Sequence, residues 1–476
     1  MQPPKEHSCV HTSYDVAIIG AGIGGLVCGC ALAKAGLKVL IAERHHSPGG
    51  YCSSFTRKGL TFDAAAHSIG GLRYGNLSSI LDQLGISARL CLKQFDPSNV
   101  IVAPGHRVAF WADLDKTILD FSEQFPAERT RLRQFFTDTI HPDLRTSLAM
   151  KTATFDTLLN RYFRDEKLKA MLSFPLLLNG GLPPSMISAF IGSKIFKEFL
   201  LGGGFYPDGG MQSFSDSFAA RFRELGGDLL LSCGVKKIGT EAGSVTGILL
   251  DSGEWIDARY VVSNCDARTT FLSLLGPDTV DAVFTRSMQN MIPSLSAFVL
   301  YIGKDTSGKE FPNSGTNLWH LAHYNLDAVY RSFLQMDFEK VLGYLLFVYP
   351  DQKRLLAFVS APFLTEDFWR ENKKRLRDAF LGRIERDMGA DVTRPITFKD
   401  ASTPVTLHRY TGNYQGASFG WACTPSQLAL SDFKRPSFVH GLYLTGHWTT
   451  TGLGIPGVVY GGYDTAAMIL RKAVAH

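Results

Sequence analysis

The run GAGIGG sets Gly20, Gly22 and Gly25 around Ile23 and Gly24, directly behind the β-branched stretch YDVAII. Each glycine of such a G-x-G-x-x-G has a task toward a dinucleotide. Gly20 permits the tight turn, Gly22 lets backbone reach a pyrophosphate, and Gly25 lets the next helix lie close on the strand. A helix beginning here offers unpaired N–H groups and its positive dipole end to the phosphates. Glu43 follows at the distance where a carboxylate accepts the ribose hydroxyls of an adenosine. Such an acid repels a 2′-phosphate, which points to FAD or NAD rather than NADP; Arg44 beside it pulls the other way. Two further titratable groups, His67 and His447, stand in the glycine-rich segments FDAAAHSIGG and GLYLTGHWTTTGLGIPGVVYGG.

These groups need elements to hold them. The apolar run over 14–19 reads as a buried parallel strand, 26–35 as a helix stopped by Gly36, and 37–42 as the strand that delivers Glu43. From 202 the chain reads as turn, helix, turn and strand. A hairpin is expected over 245–250 and 255–258 across the turn DSGE, then a separate strand over 260–263 running into NCDA. Strands are expected at 298–302, 344–349 and 355–360, and charged-faced helices at 129–136 and 368–386. Near the end, a strand over 442–445 stops at Gly446. The GIPGV segment (Gly454, Ile455, Gly457, Val458) then turns the chain before a last helix.

Gly49 and Gly50, followed by Tyr51, bring backbone close a second time just beyond the ribose acid. An NAD domain would proceed directly to its next helix and strand. A second glycine turn and a G-x-x-F-D hairpin suit a cofactor longer than its adenosine half. With GAGIGGL, GGYCSSF, FDAAAHSIGG, GGGFYPDGGM, VVSNCDA and TPVTLHRYTGN spread over nearly its whole length, the chain resembles the phytoene desaturases, carotene isomerases and retinol saturases. These are FAD-dependent oxidoreductases related to the amine oxidases.

The resemblance implies an α/β fold with a glutathione-reductase-like Rossmann FAD-binding domain, discontinuous in sequence (14–100, 203–285 and 430–476). An α+β substrate domain is implied over 101–202 and 286–429, behind a flexible tail over 1–13. It implies FAD as cofactor, with Val235 meeting the adenine through its backbone and His67 lying beside the flavin, where it could carry a proton. Asp63 would fix the loop, and Arg409 and Tyr410 could line the substrate side or serve only as structural residues. Many such flavoproteins carry an acid after the glycine equivalent to Gly446 to hold a ribityl hydroxyl. His447 stands there instead, holding the cofactor or taking part in its chemistry, with Trp448 flanking the ring. The dipole of the last helix would favour reduced flavin. The implied reaction is hydride exchange between flavin N5 and the carbon–carbon bonds of an apolar isoprenoid or carotenoid-like lipid: desaturation, saturation or cis–trans isomerisation. An amine-oxidase-type oxidase and a non-catalytic flavin or lipid carrier are the alternatives.

Composition narrows the rest. A formal charge of +5 over 476 residues, with no basic run, argues against nucleic acid. Eight cysteines without a C-x-x-C suit buried thiols in a cytoplasmic setting, not a disulfide framework or a metal site. His320 and His323 read as packing residues. The opening residues lack a secretion signal, and no apolar window reaches spanning length. The apolar segment 186–201, interrupted by Lys194, Lys197 and Glu198, is expected either to rest on a lipid surface as a peripheral contact or to cover the site. With no second dinucleotide fingerprint, the electron donor or acceptor is expected to be external.

Overall fold

The computed structural model describes residues 13–276, 278–305, 315–430, 436, 438–449 and 453–473. The expected tail lies outside them except for Ser13, which opens the first strand. That strand, β1 (Ser13–Ile19), runs into the helix α1 (Ile23–Lys34) and the strand β2 (Val39–Ala42). β1 and β2 pair in parallel from Val16↔Val39 to Ile19↔Ala42. Their residues are apolar on both faces because both faces are covered, as a parallel sheet requires.

Among the described residues this sheet has seven strands. Asp228–Leu230 adds in parallel beyond β2, and Trp255–Ser263 adds in parallel on the other side of β1. Trp255–Ser263 is one strand, where the sequence suggested a break near residue 259. Its first half pairs antiparallel with Ser244–Leu250; its last residues pair in parallel with Leu442–Leu444. One strand thus carries the chain from hairpin to sheet centre, and β1 beside it spans Asp257 to Ser263 without interruption. Asn264 follows at the same sheet edge as the Gly20 turn.

The second seven-stranded sheet has the order Ile396–Ser402, Ser296–Lys304, Arg354–Ala361, Gly343–Val348, Asn317–Leu321, Asn99–Ala103, His106–Phe110. Its pairs are antiparallel except Asn317–Leu321 with Asn99–Ala103. Asn99–Ala103 straddles residue 100, where the sequence suggested a boundary. Helices cover the sheet; Glu366–Met388 is the longest.

α1 is buried nearly all round, since β1 and β2 lie on one side and the helices Met211–Glu224 and Gly454–Ala473 on the other. The crossing with Gly454–Ala473 is close: a Cβ on Gly462 would lie 2.4 Å from the Gly24 carbonyl oxygen. Helix Gly454–Ala473 begins at Gly454, so GIPGV is its first turn and not a separate bend. Pro456 falls where a helix N-terminus tolerates the missing N–H.

Candidate functional site

A cavity of about 850 Å³ lies between the two sheets, within the roughly 300–1,000 Å³ usual for small-molecule and cofactor sites. Sixteen of the eighteen residues expected to hold the cofactor line it: Gly20, Gly22, Ile23, Gly24, Glu43, Arg44, Gly49, Gly50, Tyr51, His67, Val235, Gly446, His447, Gly454, Ile455 and Val458. Gly25 and Gly457 do not. Gly25 faces the turn behind the cavity, where a Cβ would come 2.3 Å from the Gly20 carbonyl oxygen; Gly457 is buried in its helix.

One end is built from main chain. Gly20 takes φ +94, a left-handed turn that glycine makes without strain. Gly22 is the N-cap of α1 with no capping side chain, and no carboxylate stands in the first turn. The amides there are left for an anion. Glu43, at the end of β2, accepts from Ala21 N at 2.7 Å and from His45 N at 2.8 Å. Both carboxylate oxygens are oriented by backbone and retain lone pairs for hydroxyl donors. Arg44 donates to the carbonyls of Arg409 and Tyr410, both at 2.9 Å, which holds it against that loop. Gly49 N donates to the Ala21 carbonyl, bringing the second glycine turn onto the first.

Asn264 was not foreseen as a site residue. Its Nδ2 donates to the Gly20 carbonyl at 3.3 Å. A Cβ on Gly22 would meet its Nδ2 at 2.8 Å; one on Gly24 or Gly446 would meet its Oδ1 at 2.8 Å or 2.6 Å. This single side chain fills the space that three glycines vacate and wedges the first loop against the C-terminal one. The signal was present in VVSNCDA, a polar residue at the end of a buried strand next to β1.

The other end is apolar. Ile191, Ile195 and Phe199 face Val299 and Phe358 across it. The segment 186–201 supplies this wall: an α-helix (Ala189–Ile195) continues as a π-helix (Phe196–Leu201). Ile191, Lys194, Ile195, Glu198 and Phe199 point inward at helical spacing. This face of the segment therefore covers the cavity. π-helical turns recur at functional sites. Burial raises the Glu198 carboxyl, against the pull of Lys194 and Lys197; Tyr460 Oη donates to it at 3.4 Å.

His67 sits among Phe358, Phe347 and Phe199, with ring centroids 5.4, 6.0 and 6.4 Å away. Burial pushes its pKa down to about 4, only weakly opposed by the Ala65 carbonyl. Burial does the same to His447, also to about 4. Both imidazoles are neutral near pH 7, and the Nε2 atoms of both lack a partner among the described residues. His447 lies 5.9 Å from the Tyr51 ring, whose hydroxyl donates to the carbonyls of Gly416 and Ala417. Trp448 lines the cavity and donates from Nε1 to Asn413 Oδ1 at 2.7 Å.

Asp63 lies outside the cavity lining. It accepts from Ser54 Oγ, Tyr206 Oη and Met211 N, tying its hairpin to the helix Met211–Glu224. Arg409 pairs with Glu366 at 2.6 Å on the surface and does not line the cavity. Tyr410 does, stacked at 5.0 Å on His45 and therefore at the Glu43 end rather than the apolar end.

Among the described residues no cluster of ligating side chains could hold a metal ion, and no helix is long and apolar enough to cross a membrane. The donor set fits a dinucleotide carrying a second aromatic system. It combines uncapped amides, a carboxylate held by two amides, two glycine turns in register, and two buried imidazole nitrogens without partners.

The family model described as flavin containing amine oxidoreductase matches residues 23–470. All-trans-retinol 13,14-reductase of Rattus norvegicus is 23% identical, covering 98% of this chain and 87% of its own. The lycopene-forming phytoene desaturase of Pantoea ananas is 24% identical, with 96% and 99% covered. Among solved structures, an oxidoreductase from Methanosarcina mazei superposes with a TM-score of 0.68 at 17% identity, covering 95% and 99%. That likeness concerns the fold.

Proposed function

The chain belongs to the flavin containing amine oxidoreductases and is an FAD-dependent oxidoreductase, and from that premise we propose that it acts on carbon–carbon bonds of an isoprenoid, carotenoid-like lipid. The observation that carries this reading is the apolar end of the cavity, lined by Ile191, Ile195 and Val299, where Phe199 and Phe358 pack on a neutral His67. A hydrocarbon chain is stabilised there by burial, at about 25 cal/mol per Å² of apolar surface removed from water. The names of the two relatives, a retinol reductase and a phytoene desaturase, point the same way. The two sheets, on this reading, mark a cofactor domain and a substrate domain, and the lipid reaches the site from a bilayer.

Bound FAD supplies hydride exchange with carbon at its isoalloxazine. The chain's own residues do the rest. Glu43 takes the adenosine ribose hydroxyls, the first-turn amides of α1 take the pyrophosphate, and the Val235 backbone borders the adenine. His447 offers a neutral nitrogen where a carboxylate would add negative charge. The N-terminus of Gly454–Ala473, with no acid in its first turn, stabilises negative charge developing in front of it. The apolar wall excludes water. His67 Nε2 accepts or returns the proton of the carbon adjacent to the one exchanging hydride. Electrons come from or go to an external partner.

The test is anaerobic mixing of the FAD-loaded protein with phytoene, all-trans-retinol and putrescine. Bleaching of the oxidised flavin by phytoene, or reoxidation of chemically reduced flavin by retinol, supports the reading. Bleaching by the amine alone sinks it.

A further inference from the structure

The helix Leu144–Thr152 carries large apolar side chains on the outside: Leu144 is 77% exposed and Leu148, one turn on, 55%. A soluble surface rarely gathers such groups without a use. The same region holds Met186, 40% exposed, and Ile292, 62% exposed. Contacts tie these positions together. Ser188 Oγ donates to the Met150 carbonyl, Ser188 N donates to the Cys423 carbonyl, and Gln427 accepts from Ile292 N. The helix also packs on Ala189–Ile195, the wall of the cavity, and on Pro425–Leu430. A small second cavity under Met291, Gln427 and Leu428 shares Phe419, His447 and Leu453 with the large one. The exposed apolar groups therefore surround the elements that separate the apolar end of the site from solvent.

The charge on the helix body is basic. Arg145 and Lys151 are exposed on the helix, and its body contains no carboxylate. Asp143, at its N-cap, accepts from Thr146 N at 2.6 Å. Asp327, near Met186, accepts from Ser185 Oγ at 2.5 Å. We propose that Leu144–Thr152, with Met186 and Ile292, forms a docking face for an anionic lipid bilayer, through which the apolar substrate passes to the cavity. The inference rests on the isoprenoid reading for its purpose, but not for its geometry. Apolar side chains entering the acyl boundary, flanked by basic groups at the headgroups, is the pattern of an interfacial helix.

The experiment is flotation of the FAD-loaded protein with phosphatidylcholine vesicles, with and without phosphatidylglycerol. Wild type is expected to float with the anionic vesicles and to do so less as salt rises. L144E/L148E lowers the bound fraction at least about tenfold, keeps its FAD, and leaves turnover of detergent-dispersed isoprenoid unchanged. R145Q/K151Q weakens binding only to the anionic vesicles. L119E and L334E, at exposed leucines of other helices, change nothing. The proposal is overturned if wild type ignores both vesicles, if L144E/L148E floats like wild type, or if the leucines prove to hold a second copy of the chain, seen as a dimer that L144E/L148E dissociates. Protein that converts dispersed isoprenoid yet ignores vesicles overturns the docking face alone. Protein that floats yet converts no isoprenoid overturns the functional reading alone.

Discussion

Replacing Glu43 by glutamine separates what that carboxylate does for the fold from what it does for the cofactor. It accepts from Ala21 N at 2.7 Å and from His45 N at 2.8 Å. Glutamine keeps one acceptor and turns an NH2 toward the other amide, leaving one backbone N–H unpaired at a cost of about 1–3 kcal/mol. That cost falls on empty and filled protein alike, so it appears as lost stability. Affinity changes only through the ribose hydroxyls, whose bonds to a charged acceptor are worth about 1.5–3 kcal/mol. Their loss raises the Kd for FAD roughly 10–100-fold. FMN has no adenosine and therefore no second ribose to lose. The assay is titration of apoprotein with FAD and with FMN, followed by quenching of flavin fluorescence. FAD should weaken and FMN should not. Unchanged FAD affinity would falsify the role of Glu43, and equal weakening of both would trace the effect to a collapsed loop.

Gly22→Ala places a Cβ 2.8 Å from Asn264 Nδ2, so it should lower the thermal midpoint and abolish FAD retention. Adding Asn264→Ala should restore the midpoint but not FAD retention, because a methyl group still blocks the pyrophosphate; recovery of both would make the glycine purely steric. His67 gives a pH signature in apoprotein. Unfolded histidine protonates below its ordinary value near 6.5, whereas the buried one resists to about 4. Stability is thus full above 6.5 and falls between 6.5 and 4, by about 3 kcal/mol. His447 carries the same shift, so His67→Gln should remove about half of that fall from a midpoint-against-pH curve; an identical slope in both proteins would refute the burial argument. The same variant in FAD-loaded protein should retain flavin and lose turnover. Retained turnover would remove His67 from the chemistry.

What was legible in the sequence was local. β1, the glycine turn, α1 and Glu43 lie within about thirty residues, where strand period, turn chemistry and helix spacing act on neighbours. Asn264 was not legible, because its importance arises only when Gly20 and Gly446, more than two hundred residues apart in sequence, are brought to one side chain. The segment left Tyr410 open between the substrate side and a structural role; its stacking on His45 sets it beside the Glu43 loop. Ring stacking across more than three hundred residues leaves no periodic trace. The segment 186–201 was ambiguous for a different reason. An amphipathic helix reports that one face is apolar, not what that face meets; the structure sets it against the cavity that Val299 and Phe358 also line.

The union of the two chain ends follows from the same economy of side chains. An FAD spans a phosphate site and a ring site, so both must be held at fixed distance by parts that do not move independently. On the proposed reading α1 carries the first and Gly454–Ala473 borders the second, and the two helices touch where Gly462 meets the Gly24 carbonyl. A side chain at Gly462 would push the helices apart and with them the two ends of the cofactor. Asn264 repeats the constraint a few residues away, bonded to the Gly20 turn and pressed on Gly446, which holds φ +82. The glycines of the C-terminal segment are therefore not slack. They let a helix, a loop and one asparagine fix the length of the site, and His447 inherits its buried, neutral position from that closeness.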